Sequence, residues 1–279
     1  MLRIGIIGAG GRMGRNLIMA VHAAEGAELA AALEAAGSPA LGQDAAVLAG
    51  LPTSGVIVQA DPAAVFAKSE VLIDFTFRDA FAAILGEAVR AKKPLVVGTT
   101  GLDAGDMAAI DAAAKTIPVF QANNYSIGIA VLRRLVRSAA GWLGQDFDIE
   151  IVETHHRHKK DAPSGTAITL AEAAALGRGL SPMPADVFCY GREGITGERP
   201  RGQIGMHALR GGDVVGEHTV NFYGEAERLV LGHAAASRMN FAHGAVRAAC
   251  WLVRQPPGRY GIDEILAQSG MSAPGSPAH

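Results

Sequence analysis

The segment ETHHRHKKDAPSGTA, Glu153–Ala167, holds the densest set of side chains in the chain that could do chemistry. Three histidines, one arginine and two lysines fill the six positions His155–Lys160. Histidine changes charge near neutral pH and can exchange a proton there, and the added cations predict a positive pocket for an anionic substrate. An alanine-rich helical stretch follows DAPSGT, and the amides of Gly165 and Thr166 at its start predict a carboxylate site. Two anion-binding features this close together predict a dicarboxylate substrate.

Two other interpretations of this segment stay open. It could be a solvated basic loop followed by a Ser or Thr helix cap. It could also be a metal site with His155, His156 and His158 as nitrogen ligands. The cations interleaved with these histidines would repel a divalent ion, and no cysteine or well-placed carboxylate completes a ligand set. We therefore predict no metal.

A second candidate site lies near the start of the chain, in GIIGAGGRMGRNLI. Gly8, Gly10 or Gly11, and Gly14 stand between a predicted strand and a predicted helix, where small residues let the backbone turn sharply and approach a pyrophosphate. Such a turn alone could be purely structural. Glu34 follows at the distance where an acidic residue accepts hydrogen bonds from the adenosine ribose hydroxyls. Together they predict a dinucleotide-binding site.

The residues around this site bear on the choice of cofactor. The two residues after Glu34 are alanines, so no arginine is present there to hold a 2′-phosphate, and NADH is predicted as the preferred cofactor. Arg12, in the glycine-rich loop, could still reach such a phosphate, so NADPH stays open. Asp74–Thr76 end one predicted strand, and Thr99 and Thr100 end the next, with hydroxyls where a nicotinamide ribose would sit.

Composition limits the classes of protein to which the chain can belong. Its 279 residues, 49% hydrophobic and 19% charged, are typical of a globular protein of two domains. A net charge of −2 argues against a nucleic-acid partner. No secretory signal and no apolar run of ~20 residues is seen, so no membrane partner is predicted. Two distant cysteines, Cys189 and Cys250, fit reduced thiols in the cytoplasm.

The elements that must position these residues change in pattern near residue 126. Before it, five strand-like runs alternate with helical stretches, which predicts an α/β domain with a parallel sheet and ligands at the carboxyl ends of its strands. After it, a long helix leads into DFDIEIVETHH, predicted as a strand with one solvated acidic face. Asp186–Ala236 is predicted as a mostly antiparallel sheet. A closing helix, FAHGAVRAACWLVRQ, is similar to the first domain in composition.

HHRHKKDAPSGTA, together with GAGGRMG, DFT, VVGTTG and NYSIG, resembles the dihydrodipicolinate reductase family. The match runs from residue 4 to about residue 248 and includes REGITGERPRGQIGMHALRGGDVVGEHTV and SRMNFAHGAVRAA. The resemblance implies a Rossmann-like dinucleotide-binding domain, residues 1–125, and an α+β substrate domain, residues 126–238, whose sheet builds a homotetramer. Residues 239–279 are expected to pack back onto the first domain. The implied activity is hydride transfer from NAD(P)H to a cyclic dicarboxylate, giving tetrahydrodipicolinate for diaminopimelate and lysine biosynthesis in the cytoplasm.

The resemblance also implies roles for individual residues. His155 matches the catalytic acid/base and Lys159 the proton donor. His156 matches a substrate-carboxylate contact, and Gly165 with Thr166 matches the second carboxylate site.

Two positions depart from the family pattern. Ala35 stands where some members carry the arginine for a 2′-phosphate, and Asn123 stands where a small residue is common. The implied cofactor contacts are Gly8, Ala9, Gly10, Gly11, Arg12, Met13, Glu34, Gly98, Thr99, Thr100, Ala122, Asn123, Asn124, Tyr125 and, in a hinge region with Phe241, Arg238.

Two functions of other classes compete with a reductase. A non-catalytic NADH sensor would need the same first domain but gives no reason for the histidine and lysine cluster. A zinc-dependent dehydrogenase would need a metal. The remaining histidines, His218 among them, are assigned structural roles.

Overall fold

The computed structural model describes residues 1–184 and 186–268, which form two compact units. The first comprises Met1–Ser126 and the described residues from Arg238 onward, and the second comprises Ile127–Ser237. The strands are β1 Leu2–Ile7, β2 Ala27–Leu33, β3 Val58–Gln59, β4 Val71–Asp74, β5 Leu95–Val97, β6 Pro118–Gln121, β7 Asp148–His155, β8 Phe188–Cys189, β9 Ile204–Arg210, β10 Glu217–Tyr223, β11 Arg228–Ala234 and β12 Gly258–Tyr260. The helices are α1 Arg12–Ala23, α2 Ala45–Leu48, α3 Pro62–Lys68, α4 Arg78–Ala91, α5 Ala104–Ala113, α6 Ile127–Leu143, α7 Gly165–Gly177, α8 Met239–Leu252 and α9 Ile262–Gln268.

The first unit is built on a seven-stranded sheet in the order β12-β6-β5-β4-β1-β2-β3, with every pairing parallel. This order places β1 and β4 side by side at the point where the direction of winding reverses, which is where dinucleotides bind. The five predicted strands correspond to β1, β2, β4, β5 and β6. The sequence analysis missed β3 and β12, edge strands of two and three residues, because such short segments show no periodicity.

The central strands of this sheet are mostly apolar because helices cover both faces of a parallel sheet. Ile4, Ile6, Leu72 and Ile73 are fully buried. Helix α8 packs on β4, β5, β6 and α1, so the closing helix belongs to the first unit. Residues 269–279, which were expected to return with it, lie outside the described residues.

The second unit is a five-stranded sheet in the order β11-β10-β7-β9-β8, with α6 and α7 against it. The prediction of a mostly antiparallel sheet is wrong. β10 is antiparallel to β7 and β11, whereas β9 is parallel to β7 and β8. Between β7 and β9 the chain makes a long crossover that includes α7, and such a connection brings a strand back in the same direction. The short Gly- and Val-rich runs carry no sign of that direction. The predicted fold class, a Rossmann-like domain followed by an α+β domain, is confirmed.

Strand β7 alternates between core and open face, as a strand of a half-buried sheet does. Ile149 and Ile151 are fully buried against Val220 and Phe222 of β10. The next core-facing residue is Glu153, of which only 1% is exposed. The strand therefore carries a carboxylate into the core just before it ends at His155.

Candidate active site

The glycine-rich loop between β1 and α1 has the geometry of a phosphate cradle. Gly8 has φ +80°, in the left-handed region that favours glycine. A Cβ on Gly14 would lie 2.1 Å from the carbonyl oxygen of Gly8, so only glycine lets α1 start this close to β1. Helix α1 begins at Arg12, and its first amides and positive dipole end point to the loop. The loop therefore fits a pyrophosphate.

Glu34 follows the last residue of β2 and is bonded to this loop. Its Oε2 accepts a hydrogen bond from the Gly10 amide at 2.8 Å, and its Oε1 accepts one from the Ala35 amide at 3.1 Å. A Cβ on Gly10 would come within 3.0 Å of the same Oε2. The carboxylate thus lies at the carboxyl end of β2, as predicted, and also orders the loop.

A buried carboxylate ties together the ends of β4 and β5. Asp74 is fully buried; its Oδ1 accepts from the Thr76 amide at 2.9 Å and hydroxyl at 2.7 Å, and its Oδ2 accepts from the Thr99 hydroxyl at 2.9 Å. Burial raises the pKa of the Asp74 carboxyl against the effect of these hydrogen bonds. The Thr99 hydroxyl is therefore directed inward, and Thr100 is the exposed member of the predicted pair.

The segment Ala122–Tyr125, which follows β6, is anchored by an aromatic cluster of Tyr125 and Phe75. The Tyr125 ring is buried 5.3 Å from the Phe75 ring, and its hydroxyl donates to the Val97 carbonyl at 2.7 Å. A Cβ on Gly98 would lie 2.3 Å from Phe75 ring atoms. A side chain at position 98 would displace this cluster. Any cofactor contact by Tyr125 must come from its backbone.

The predicted cofactor contacts all belong to the first unit and lie where its strands end or its helices begin. They lie at the carboxyl ends of β1, β2, β5 and β6 or at the start of α1, and Arg238 immediately precedes α8. Asn123 is exposed, and its Oδ1 accepts from the Gln121 side chain at 3.0 Å.

In the second unit, the basic segment forms the connection from β7 to α7. His155 is the last residue of β7, and Gly165 is the first of α7. Lys159 Nζ lies 2.9 Å from the carboxylate of Asp161, and the His156 amide donates to the Val214 carbonyl at 2.8 Å. The predicted catalytic and substrate-binding residues therefore share one connection and its two ends.

Helix α7 begins with a side-chain cap. Ser164 is its N-cap residue, and the hydroxyl accepts a hydrogen bond from the Ala167 amide at 3.1 Å. Gly165 and Thr166 are the first two residues of a 13-residue helix, at its positive end. Gly165 is exposed and has no side chain to cover this end. This is the geometry predicted for a carboxylate site.

The sequence analysis missed the residue that contacts His155 most closely. Oε2 of Glu153 lies 2.5 Å from Nδ1 of His155, and the Ser164 amide donates to Oε1 at 3.0 Å. Arg210 donates to both carboxylate oxygens at 2.8 Å. Burial alone would raise the pKa of the Glu153 carboxyl, but the bonds from Arg210 and His155 outweigh it and hold that pKa below its usual value. Glu153 is therefore ionised at neutral pH.

His218, assigned a structural role from the sequence, lies in the same cluster. Its Nε2 is 3.1 Å from the Ser164 hydroxyl, and its ring centre is 5.1 Å from that of His155. Burial, followed by the neighbouring His155, lowers the pKa of His218 to about 4. His218 is thus neutral at neutral pH.

Two findings concern the alternatives weighed from the sequence. Within residues 1–184 and 186–268, no group of three or more His, Cys, Asp or Glu side chains is arranged to hold a metal ion. In the same part of the chain, no helix is long and apolar enough to cross a membrane.

The comparisons with known proteins cover nearly the whole chain. Residues 2–125 match the family model described as dihydrodipicolinate reductase, N-terminus, and residues 128–266 match the model for its C-terminus. Proteins named 4-hydroxy-tetrahydrodipicolinate reductase include relatives from Anaeromyxobacter dehalogenans, 47% identical over 97% of this chain and 99% of theirs, and Alkalilimnicola ehrlichii, 50% identical over 95% and 98%. The solved structure of dipicolinate-bound dihydrodipicolinate reductase from Paenisporosarcina sp. TG-14 superposes with a TM-score of 0.73 at 25% identity, covering 95% of this chain and all of that one.

The parallel sheet, its phosphate cradle and the basic segment before α7 define an NAD(P)-dependent oxidoreductase. The matches over both halves identify it further: the chain belongs to the dihydrodipicolinate reductase family. The predicted family, the fold class and the reductase function are therefore confirmed.

Proposed function

We propose that this chain reduces 4-hydroxy-tetrahydrodipicolinate to tetrahydrodipicolinate with a reduced nicotinamide cofactor, on the route to diaminopimelate and lysine. The observation that carries the proposal is the segment from Glu153 to Thr166, which brings together an ionised glutamate bonded to His155, a lysine and a helix N-terminus. The relatives are named for this activity, and they match this chain over almost their full length.

The first unit holds the cofactor in this proposal. Residues 1–125 act as the dinucleotide-binding domain, with the pyrophosphate on the loop Gly8–Met13 and the nicotinamide side at Gly98–Thr100 and Ala122–Tyr125. Glu34 accepts hydrogen bonds from the adenosine ribose, and its negative charge, followed by an alanine, disfavours a 2′-phosphate. NADH is therefore preferred over NADPH. The bound cofactor supplies the hydride.

The second unit, residues 126–238 by sequence, binds the dicarboxylate. One carboxylate lies at the amides of Gly165 and Thr166, where the helix dipole favours an anion, and the other lies at His156. The support for a planar dicarboxylate ligand is the relative from Paenisporosarcina sp. TG-14, which was solved with dipicolinate bound.

Proton transfer falls to His155 and Lys159. Formation of tetrahydrodipicolinate from the 4-hydroxy compound adds a hydride and a proton and releases the 4-hydroxyl as water. Lys159 gives the proton to the reduced ring, and His155 acts as acid/base in the same pocket. The neighbouring cations stabilise the negative charge of the dicarboxylate during hydride and proton transfer.

The proposal includes assembly and location. The open face of the second sheet carries exposed apolar side chains, which a homotetramer would cover. Cys189 and Cys250 are unpaired thiols, which fits a cytoplasmic enzyme.

The test is NADH oxidation with substrate freshly generated by a dihydrodipicolinate synthase. We expect saturable turnover that pyridine-2,6-dicarboxylate inhibits competitively, with pyridine-2-carboxylate far weaker. NADH binding without turnover would favour a sensor, and turnover abolished by a chelator would favour a zinc enzyme. Either result contradicts the proposal, as does equal inhibition by both pyridine acids.

A further inference from the structure

The Glu153 carboxylate determines which nitrogen of His155 carries a proton. An ionised carboxylate only accepts hydrogen bonds, and the Oε2 to Nδ1 separation is 2.5 Å. Nδ1 must therefore donate. A neutral His155 then has its lone pair on Nε2, and a charged one has its exchangeable proton there.

We propose that Glu153, fixed by Arg210, is a positioning residue that holds His155 in the Nδ1–H form, and that Gly216 keeps the Nε2 edge open for proton transfer. The inference rests on the proposed role of His155. In the step itself, the Nε2–H bond breaks as the proton passes to the departing 4-hydroxyl, which leaves as water, and Nε2 takes up the ring C–H proton lost in that elimination, so the one net proton consumed is the one that Lys159 gives. The Nδ1–H bond to Glu153 persists throughout.

Arg210 stabilises the ionised form of Glu153 and fixes the orientation of its carboxylate. It lies directly beside His155 in the β7–β9 register, and its fork donates to both oxygens of Glu153 at 2.8 Å. Its Nη2 also donates to the Asp161 carbonyl at 2.7 Å. A two-pronged arginine pair fixes the plane of a carboxylate as well as its charge. Glu153 therefore has little freedom to turn away from His155.

Gly216 lies against the other edge of the ring. A Cβ at this position would come within 3.0 Å of Nε2 and 3.3 Å of Cδ2 of His155. Any side chain there would cover the nitrogen that must exchange protons. The absence of a side chain at position 216 leaves that edge accessible.

One connection between strands, from β9 to β10, supplies both supports. Arg210 ends β9 and Gly216 precedes β10, so the connection RGGDVVG carries both residues. Its backbone is bonded to the basic segment: Gly211 N donates to His155 O at 3.0 Å, and Gly212 O accepts from Arg157 N at 3.2 Å. The connection thus fixes the Glu153 carboxylate on the Nδ1 side of the ring through Arg210 and places Gly216 on the Nε2 side.

The same strand offers a matched control. Glu150 lies on the opposite face of β7 and is also paired with arginines and a histidine: Arg192 at 2.8 Å, Arg199 at 2.8 Å and His207 Nε2 at 2.6 Å. Glu150→Gln removes the same charge from a comparable cluster that does not touch His155.

The experiment measures Glu153→Gln in two backgrounds, wild type and His155→Ala. We expect Glu153→Gln to lower kcat roughly 10²-fold or more, with KM for the dicarboxylate and Kd for NADH changed less than about threefold. In the His155→Ala background the same substitution should change kcat less than about twofold, because it acts through His155. Glu150→Gln should keep kcat within about threefold of wild type.

Other outcomes separate this inference from the proposed function. If His155→Ala alone keeps full kcat, the assigned role of His155 fails and the inference fails with it. If His155→Ala is inactive but Glu153→Gln keeps kcat, or lowers it equally in both backgrounds, the inference alone is overturned. Gly216→Ala gives a second reading that leaves Glu153 intact: kcat should fall with NADH affinity retained, and full activity would contradict the open-edge role.

Discussion

Oε2 of Glu153 lies 2.5 Å from Nδ1 of His155, on a strand whose other core-facing residues are isoleucines. Burying a charge costs free energy unless it is paired and hydrogen-bonded. Here the fork of Arg210 and the amide of Ser164 offset that cost. The local rule that charges stay out of cores is broken at the residue that orients the proposed acid/base, which is where such exceptions are expected.

Substituting the two lysines of the basic segment one at a time should distinguish a role in proton transfer from a role in substrate binding. Lys159→Ala removes the proposed proton donor and should cut kcat by roughly 10²–10⁴, with Kd for NADH nearly unchanged because that site is in the other unit. Lys160→Ala removes only charge, so it should raise KM for the dicarboxylate and keep kcat. Steady-state kinetics and NADH fluorescence titration measure both. Full activity of Lys159→Ala would remove this residue from the chemistry.

The start of α7 should act in substrate binding. Thr166→Ala loses a hydroxyl at the proposed carboxylate site, so KM for the dicarboxylate should rise more than kcat falls. A kcat loss as large as that of His155→Ala, with KM unchanged, would place Thr166 in the proton transfer instead.

Glu34 should select the cofactor. A hydrogen bond to a charged group contributes about 1–3 kcal/mol, so Glu34→Ala should raise Kd for NADH roughly 5- to 150-fold. For NADPH we expect Glu34→Ala to leave Kd unchanged or to lower it, because the substitution removes a negative charge from near the 2′-phosphate. A rise in Kd for both cofactors would instead show that the substitution loosens the glycine-rich loop, since Glu34 also accepts a hydrogen bond from the Gly10 amide. Wild-type binding of NADPH tenfold tighter than NADH would refute the predicted preference.

His218 should make the fold sensitive to mild acid. Its pKa is about 4 in the folded chain against 6.5 when exposed, so below pH 6.5 the unfolded chain takes up a proton that the folded chain refuses. The free energy of unfolding is therefore unaffected by His218 above about pH 6.5. It falls by up to about 3 kcal/mol as pH falls toward 4. Urea unfolding of wild type and His218→Gln at pH 4 to 7 should show this difference in slope. Parallel pH curves would contradict it.

The open face of the second sheet should form an assembly. Leu209, Tyr223 and Val230 are each at least 41% exposed, and burying such a face between copies removes apolar surface from water. Light scattering at micromolar concentration should give four chains of 28.8 kDa, about 115 kDa. Val230→Glu should lower that mass, while Val47→Glu, on α2 of the first unit, should not. A wild-type monomer would rule the tetramer out.

The sequence predicted what depends on local pattern. The glycine loop, Glu34 at the end of β2 and Gly165 with Thr166 at the start of α7 lie where turn chemistry and strand ends place them. The parallel pairing of β9 could not be predicted, because short apolar runs carry no direction. Glu153 did leave a signal: the alternation Ile149, Ile151 breaks when an acid takes the next core position. Its partner Arg210 is distant in sequence, so only the fold reveals the pair.

The most direct test of the proposed reduction follows the hydride itself. NADH carrying two deuterium atoms at C4 is oxidised in the presence of the 4-hydroxy dicarboxylate, and the product is examined by mass spectrometry. We predict one deuterium per product molecule, in step with NADH consumed, and almost none with His155→Ala over the same period. Rapid NADH oxidation with no deuterium in the tetrahydrodipicolinate would contradict hydride transfer to the ring.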